Sequence, residues 1–205
     1  MSHCSKFDIK FKDKHVLFKA MRNLNMKPEN EVWASYKSTL GKLINFNGTI
    51  IGKLLTGEVN NINIFFTEEN GYYSMNAESH KLTIKQLNEQ SKNITKALQQ
   101  EYVKCSLEKL QNSIMRSGET ASIFCETNNT TDIYTLTIGS TGRRFIVSVD
   151  NKGAISEEVH GVIGKSCVDL TSVFESCVAD VINREWTVEY SETVEDQVVQ
   201  VLNLV

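Results

Sequence analysis

Residues 143–161 read RRFIVSVDNKGAISEEVHG and predict two strands joined by a tight turn. Apolar residues alternate along Phe145–Val149, which is the period of a strand with one buried face. Asp150–Gly153 has the composition of a turn, and Ala154–Val159 continues as a second strand. The stretch therefore predicts an antiparallel hairpin.

A helix is predicted after this hairpin, from about Cys167 to Arg184. Its apolar residues recur at the i, i+3, i+4, i+7 spacing of one helical face. They are Leu170, Val173, Phe174, Cys177, Val178, Val181 and Ile182. A third strand is predicted at Trp186–Tyr190, and the chain ends in an apolar tail. Residues 143–205 therefore predict a small ββαβ domain with an apolar C-terminal tail.

The N-terminal part begins with a strand and continues as a meander. Phe7–Phe11 alternates apolar with charged residues, and Asp13 is placed to cap a helix after it. Strands follow over residues 32–75. The dipeptides Asn47-Gly48 and Asn70-Gly71 are typical of two-residue hairpin turns. The pairing of this meander is therefore expected to be mainly antiparallel.

Helical spacing dominates the next stretch, from about Thr83 to Ser117. The pattern is consistent with one long helix or with two helices broken near residues 91–93. Ala121–Glu126 and Ile133–Ile138 then predict a second hairpin, with its turn at residues 128–131.

Gly139-Ser140-Thr141-Gly142 predicts a linker, because small, flexible residues are common between domains. The sequence thus predicts an α+β domain over residues 1–138, a linker at 139–142, and the small ββαβ domain over 143–205. The expected fold class is α+β, with an antiparallel sheet and helices in the N-terminal domain.

Composition places the chain among globular proteins. It has 205 residues, 40% of them hydrophobic and 23% charged. With 22 basic and 25 acidic residues the net charge is -3, which gives no overall attraction for nucleic acid. No secretory leader and no apolar run of roughly 18 residues is found, so neither secretion nor a membrane span is expected. Five cysteines without a leader indicate reduced thiols and a cytoplasmic location.

Gly164-Lys165-Ser166 invites comparison with a phosphate-binding loop. That loop needs a glycine five positions before its last glycine, and Val159 stands there. Nucleotide hydrolysis is therefore not predicted. A weaker hypothesis is an anion site formed by Gly164, Lys165 and Ser166 at a helix N-terminus, and the alternative is a turn followed by a helix cap.

Cys167 is the candidate reactive thiol. It lies in the first helical turn near Lys165, where the helix dipole and a cation favour a thiolate. His160 is the only nearby base, so a structural role is the competing interpretation. Cys177 falls on the apolar face and is expected in the core.

Two basic groups are candidates for nucleic-acid contact, and solvation is the simpler interpretation of both. One is Arg143 with Arg144, and the other comprises Lys6, Lys10, Lys12 and Lys14. The cysteines lack CxxC spacing and the histidines occur singly, so no metal site and no cofactor are predicted.

The opening Met-Ser-His-Cys-Ser, followed by residues 7–10 and a short helix, resembles a plastid and cyanobacterial conserved-reading-frame family of unknown function. Members of that family begin Met-Ser-His-Phe-Ser. The similarity continues at residues 69–72, 100–103 and 132–138. Cys4 in place of Phe and a longer meander at residues 38–60 depart from the family pattern.

The second part resembles a small bacterial family, also of unknown function. The similarity rests on residues 144–149, on Gly161–Cys167, and on residues 170–171, 174–175 and 185–190. The two resemblances imply a protein encoded near AAA-type ATPases, sometimes with a ferredoxin.

The sequence as a whole predicts a non-enzymatic protein-binding or adaptor module, an accessory of an AAA-type ATPase system or a self-associating chain. Two other hypotheses stay open. One is a thiol-dependent or redox enzyme using Cys167. The other is a nucleic-acid-associated protein using Arg143, Arg144 and Lys165.

Overall fold

The computed structural model describes residues 3–8, 11–26, 31–37, 43–53, 62–79, 81–128, 130–162, 166–178 and 183–186. Within these ranges it has three helices and ten strands, which confirms the α+β class. In chain order they are β1 (His3–Asp8), α1 (Lys14–Asn23), β2 (Glu31–Lys37), β3 (Leu43–Lys53), β4 (Asn63–Glu69), β5 (Tyr72–Glu78), α2 (Ile84–Arg116), β6 (Ala121–Thr127), β7 (Thr131–Ile138), β8 (Arg143–Asp150), β9 (Ala154–His160), α3 (Ser166–Val178) and β10 (Asn183–Trp186).

The chain forms two compact units whose division differs from the predicted one. One unit comprises Met1–Ile9 with Ser106–Val205, and the other comprises Lys10–Cys105. Residues 139–142 are a hairpin turn rather than a linker, because β7 and β8 pair directly from Ile138 and Arg143 onward. Gly139 and Gly142 have φ values of 62° and 75°, which glycine adopts without strain. Small, flexible residues suit a linker and a tight turn equally well, so composition alone could not separate them.

The first unit is built on a six-stranded sheet of order β10-β1-β9-β8-β7-β6. Each neighbouring pair is antiparallel. The predicted ββαβ order is present as β8, β9, α3 and β10. It does not form a sheet of its own, since β1 lies between β9 and β10 and β7 continues the sheet beyond β8.

Alternate residues of β7, β8 and β9 are buried on one face of this sheet. The ring of Phe145 on β8 meets that of Phe174 on α3 edge to face, with centroids 5.4 Å apart. Both side chains are fully buried, so α3 packs on this face. The predicted helix is too long at its end, because Asn183 and Arg184 belong to β10. Residues 187–205, with the rest of the predicted third strand and the apolar tail, lie outside the described residues.

The second unit contains a four-stranded antiparallel sheet of order β2-β3-β4-β5. The predicted hairpin at Asn47-Gly48 is wrong, because β3 runs straight through these residues. The pairing with β2 shifts there by one residue, between the pairs Trp33–Gly48 and Ser35–Asn45. A glycine in a strand marks a bulge as readily as a turn, which explains the misleading signal.

The other turn of the meander is confirmed. Asn70 and Gly71 join β4 to β5 with φ values of 53° and 79°, as a two-residue hairpin with two left-handed positions requires. The long helix α2 is continuous from Ile84 to Arg116, so the pattern describes one helix.

Tyr102 of α2 fixes the start of α1. Its buried hydroxyl oxygen accepts the backbone N–H groups of Lys12 (3.0 Å) and Asp13 (2.9 Å). The predicted cap is confirmed, since Asp13 Oδ1 accepts the N–H groups of His15 and Val16. Helix α1 then buries Val16, Leu17, Ala20 and Met21.

Candidate functional site

The predicted anion site lies largely outside the described residues. Gly164 and Lys165 are not among them, and Ser166 and Cys167 are the first two residues of α3. The anion and thiol hypotheses at this position therefore stay predictions.

Gly161, which precedes these residues, has a role in the fold. It leaves β9 with a φ of +69°, and a Cβ atom there would lie 3.4 Å from the Cα of Arg143. A side chain at this position would thus be strained by its backbone conformation and crowded by the start of β8. Val162, which follows, is buried. The glycine at position 161, where the stretch Gly161–Cys167 begins, is therefore explained by the tight backbone turn that leaves β9.

The two arginines predicted as a basic patch have different surroundings. The Arg143 guanidinium pairs with the Glu119 carboxylate, and its Nε donates to Thr141 Oγ1 at 3.2 Å. Arg144 is exposed and stands opposite Thr137 on β7 and His160 on β9. The charge of Arg143 is compensated, so the pair offers one exposed cation.

The predicted row of lysines is described at two positions. Lys12 Nζ lies 5.4 Å from the centroid of the Tyr72 ring, and Lys14 Nζ lies 5.5 Å from that of Phe18. The side chain of Lys6 and the whole of Lys10 lie outside the described residues. These contacts are typical of a solvated surface with cation–π packing.

Cys177 is confirmed as a core residue. It is buried, and its Sγ lies 3.3 Å from the Val173 carbonyl oxygen and 3.4 Å from Lys109 Nζ. Among the described residues no group of three or more His, Cys, Asp or Glu side chains could hold a metal ion. Within that same part of the chain, no helix is long and apolar enough to cross a membrane.

The most distinctive feature of the described surface is β6, the last strand of the six-stranded sheet. Its side chains are exposed from Phe124 to Thr127, and Phe124 retains 63% of its accessible surface. Cys125, the next residue, is an exposed free thiol. We define the open edge as Ala121–Thr127. Sequence reasoning found this strand but missed its exposure, because the order of strands in a sheet depends on distant parts of the chain.

Part of the backbone of the open edge has no strand partner among the described residues. Gly139 N–H donates to the Thr120 carbonyl at 2.8 Å, so residues 120 and 139 form a hydrogen-bonded pair. In an antiparallel ladder such pairs alternate with non-bonded ones. Ile123, Cys125 and Thr127 therefore direct their N–H and C=O groups away from β7. The Ala121 carbonyl also points outward and accepts Gln111 Nε2 at 2.9 Å.

The strand of the open edge has no bulge, lysine or proline, three features that commonly prevent strand pairing. Seven consecutive residues pair with β7 without a register shift, so no bulge interrupts the strand. The strand ASIFCET has no Lys and no Pro, and Glu126 is its single charge. A long, regular, weakly charged edge of this kind is a template for another strand.

Comparison with known families adds one finding. Residues 146–191 match a family described as a protein of unknown function (DUF2997). The match begins within β8 and includes β9, α3 and β10. No curated protein matches the chain. The family description assigns no activity, so the function must be argued from the site itself.

Proposed function

We propose that this chain is a non-enzymatic protein-binding module, an adaptor that accepts a strand of its partner along the open edge. The observation that carries the proposal is the exposure of Phe124 and Cys125 on a regular terminal strand. Strand addition to an exposed sheet edge is a recurrent mode of protein recognition. Main-chain hydrogen bonds supply affinity in this mode, and side chains on alternate positions supply specificity.

The partner strand would bond to the outward N–H and C=O groups of Ile123, Cys125 and Thr127. Side chains at 122, 124 and 126 lie on the face of the sheet opposite the buried one, because strand residues alternate between faces. Phe124 would then pack against the partner residue beside it. A β-branched or aromatic residue suits that position, since such cross-strand pairs stabilise sheets.

We propose that the partner assembly contains an AAA-type ATPase, which is the expectation implied by the sequence resemblance. We place the protein in the cytoplasm, where its thiols stay reduced. An accessory of this kind requires a stable body and a docking strand, and the six-stranded sheet ending in β6 supports the proposal.

A co-purification experiment tests the proposal. The full chain is compared with Phe124→Lys, which places a charge at the centre of the open edge. Met115→Lys is the matched control, because Met115 is an exposed apolar residue (53%) of the same unit on α2. We expect an AAA-type ATPase subunit to co-purify with the wild type and with Met115→Lys, and to be lost with Phe124→Lys. Equal recovery with all three would refute binding at the open edge.

A further inference from the structure

β1 fills a gap between two strands that are not neighbours in the sheet. It pairs antiparallel with β9 over residues 3–8 and antiparallel with β10 over residues 3–6. β9 and β10 therefore run parallel to each other, two strand spacings or roughly 9–10 Å apart. We call this gap, with the edges of β9 and β10 that face each other across it, the strand slot.

The strand that fills the slot comes from outside the segment that forms it. Residues 146–191, which match the family of unknown function, include β9, α3 and β10 but not β1. Backbone N–H and C=O groups inside a sheet require partners, and β1 supplies them on both sides of the slot. Among the described residues, β10 has β1 as its one neighbouring strand. The matched segment therefore forms a sheet that lacks its middle strand.

The division of the chain into units separates this strand from its covalent neighbours. Met1–Ile9 belongs to the same unit as Ser106–Val205, whereas Lys10–Cys105 forms the other unit. The short segment is therefore held in its unit by strand pairing, and the chain that connects it to β6 passes through the other unit. Pairing of this kind is an association between two parts of one chain, which the covalent connection strengthens by raising their effective concentration.

We propose that the strand slot is a binding site for an extended peptide. Met1–Ile9 is its intramolecular ligand, and the same segment supplied as a separate peptide replaces it. Main-chain hydrogen bonds provide the affinity in such strand addition, and alternate side chains provide the specificity. The inference goes beyond the proposed function, because β8 and β7 separate the slot from the open edge.

The register indicates which residue of the peptide the slot selects. Phe7 stands opposite Ile155, which is buried, and Lys6 stands opposite Ser156, which is half-buried. Residues directly opposite each other in an antiparallel pair share a face of the sheet. Position 7 therefore belongs to the core face and position 6 to the other face. The slot takes a strand with an apolar residue at position 7.

A protease site inserted between Ile9 and Lys10, where the two units divide, tests the inference in the full chain. The cleaved chain is unfolded in urea and refolded with an excess of labelled peptide of residues 1–9, and bound label is measured after gel filtration. The same chain left uncleaved is the matched control, because its own β1 stays linked and competes at a high effective concentration. We expect the cleaved chain to retain the labelled peptide and the uncleaved chain to retain several times less.

Two variant peptides test the register. Phe7→Ser should weaken binding to the cleaved chain by at least about tenfold, because it removes a large apolar side chain from the core face. Lys6→Ser is the matched control and should change binding by less than about threefold, since position 6 lies on the other face. Competition of each variant with the labelled peptide measures both effects.

Each contrary outcome overturns a stated part of the inference. A cleaved chain that binds no more label than the uncleaved chain, or that does not refold with the peptide, overturns the strand slot as a binding site. Equal binding of the two variant peptides overturns the register. Phe124→Lys in the cleaved chain should leave peptide binding unchanged, so the result does not depend on whether a partner binds at the open edge.

Discussion

β5 and β6 both end a sheet, and their outer sides differ. Tyr73 of β5 donates its N–H to the Phe11 carbonyl at 2.8 Å, and the Phe11 ring packs edge to face on Phe66 and Tyr102. The segment before α1 thus covers part of the β5 edge. β6 has no strand on its outer side among the described residues, and its central Phe124 is exposed.

The difference shows which sheet edge is covered by other described residues and which is not. A covered edge is unavailable for pairing, whereas an edge with a single charge and no bulge favours it. Among the described residues, the chain covers the edge of β5 with a buried aromatic cluster and places no strand on the outer side of β6. This contrast supports the proposal that β6 binds a partner strand.

The largest expected effect contrasts two phenylalanines of the six-stranded sheet. Phe145→Ala should lower the free energy of unfolding by about 3–5 kcal/mol, because it leaves a cavity against Phe174 in the core. Phe124→Ala should change it by less than about 0.5 kcal/mol, since the ring is already in water. Chemical denaturation of dilute protein measures both. Comparable losses for the two variants would show that Phe124 is part of the core.

A smaller effect is expected where the β5 edge is covered. Tyr102→Phe removes the acceptor for the N–H groups of Lys12 and Asp13, the two residues that follow Phe11. Loss of this acceptor for two partly buried amides should cost about 1–3 kcal/mol. The loosened segment should also let the Tyr73 amide exchange faster, while amides of β6 keep their rates.

Amide exchange followed by NMR measures this second response. Asp13→Ala is the matched control, because it removes the helix cap and leaves the Tyr102 hydroxyl in place. Faster exchange at Tyr73 in the control but not in Tyr102→Phe would contradict the role assigned to that hydroxyl.

The smallest effect concerns the ionisation of Tyr73. Burial, and then the charge and hydrogen bond of Glu68, raise the pKa of the Tyr73 phenol above its ordinary value of 10.0. The unfolded chain then loses this proton at lower pH than the folded one, so stability falls as pH rises above about 10. An NMR titration should show Glu68→Gln lowering the pKa of Tyr73. An unchanged titration would remove Glu68 as a cause.

Local patterns predicted local structure well in this chain. Alternation over 145–159 gave the β8–β9 hairpin, and helical spacing gave α2, because both signals arise from residues close in sequence. The hairpin turn predicted at Asn70-Gly71 is confirmed, and the one predicted at Asn47-Gly48 is wrong. The two dipeptides have the same backbone freedom, and pairing with distant strands decides whether that freedom serves a turn or a bulge.

Long-range arrangement could not be predicted. The insertion of β1 between β9 and β10 joins residues about 150 and about 180 positions apart, and nothing in His3–Asp8 specifies it. The same limit hid the open edge, since β6 looked like any other hairpin strand. The candidate residues at 143–144 and 164–167 are predicted from their charge, loop composition and thiol. These side-chain properties do not show which strand ends a sheet.

Residue-specific amide exchange along β6 tests the central claim most directly. Ser122, Phe124 and Glu126 bond to β7 and should be protected with or without the binding partner. The backbone N–H groups of Ile123, Cys125 and Thr127 point outward and should exchange rapidly in the free protein, then become protected when the binding partner is added. Outward amides that exchange as fast with the partner bound as in the free protein would contradict binding at the open edge.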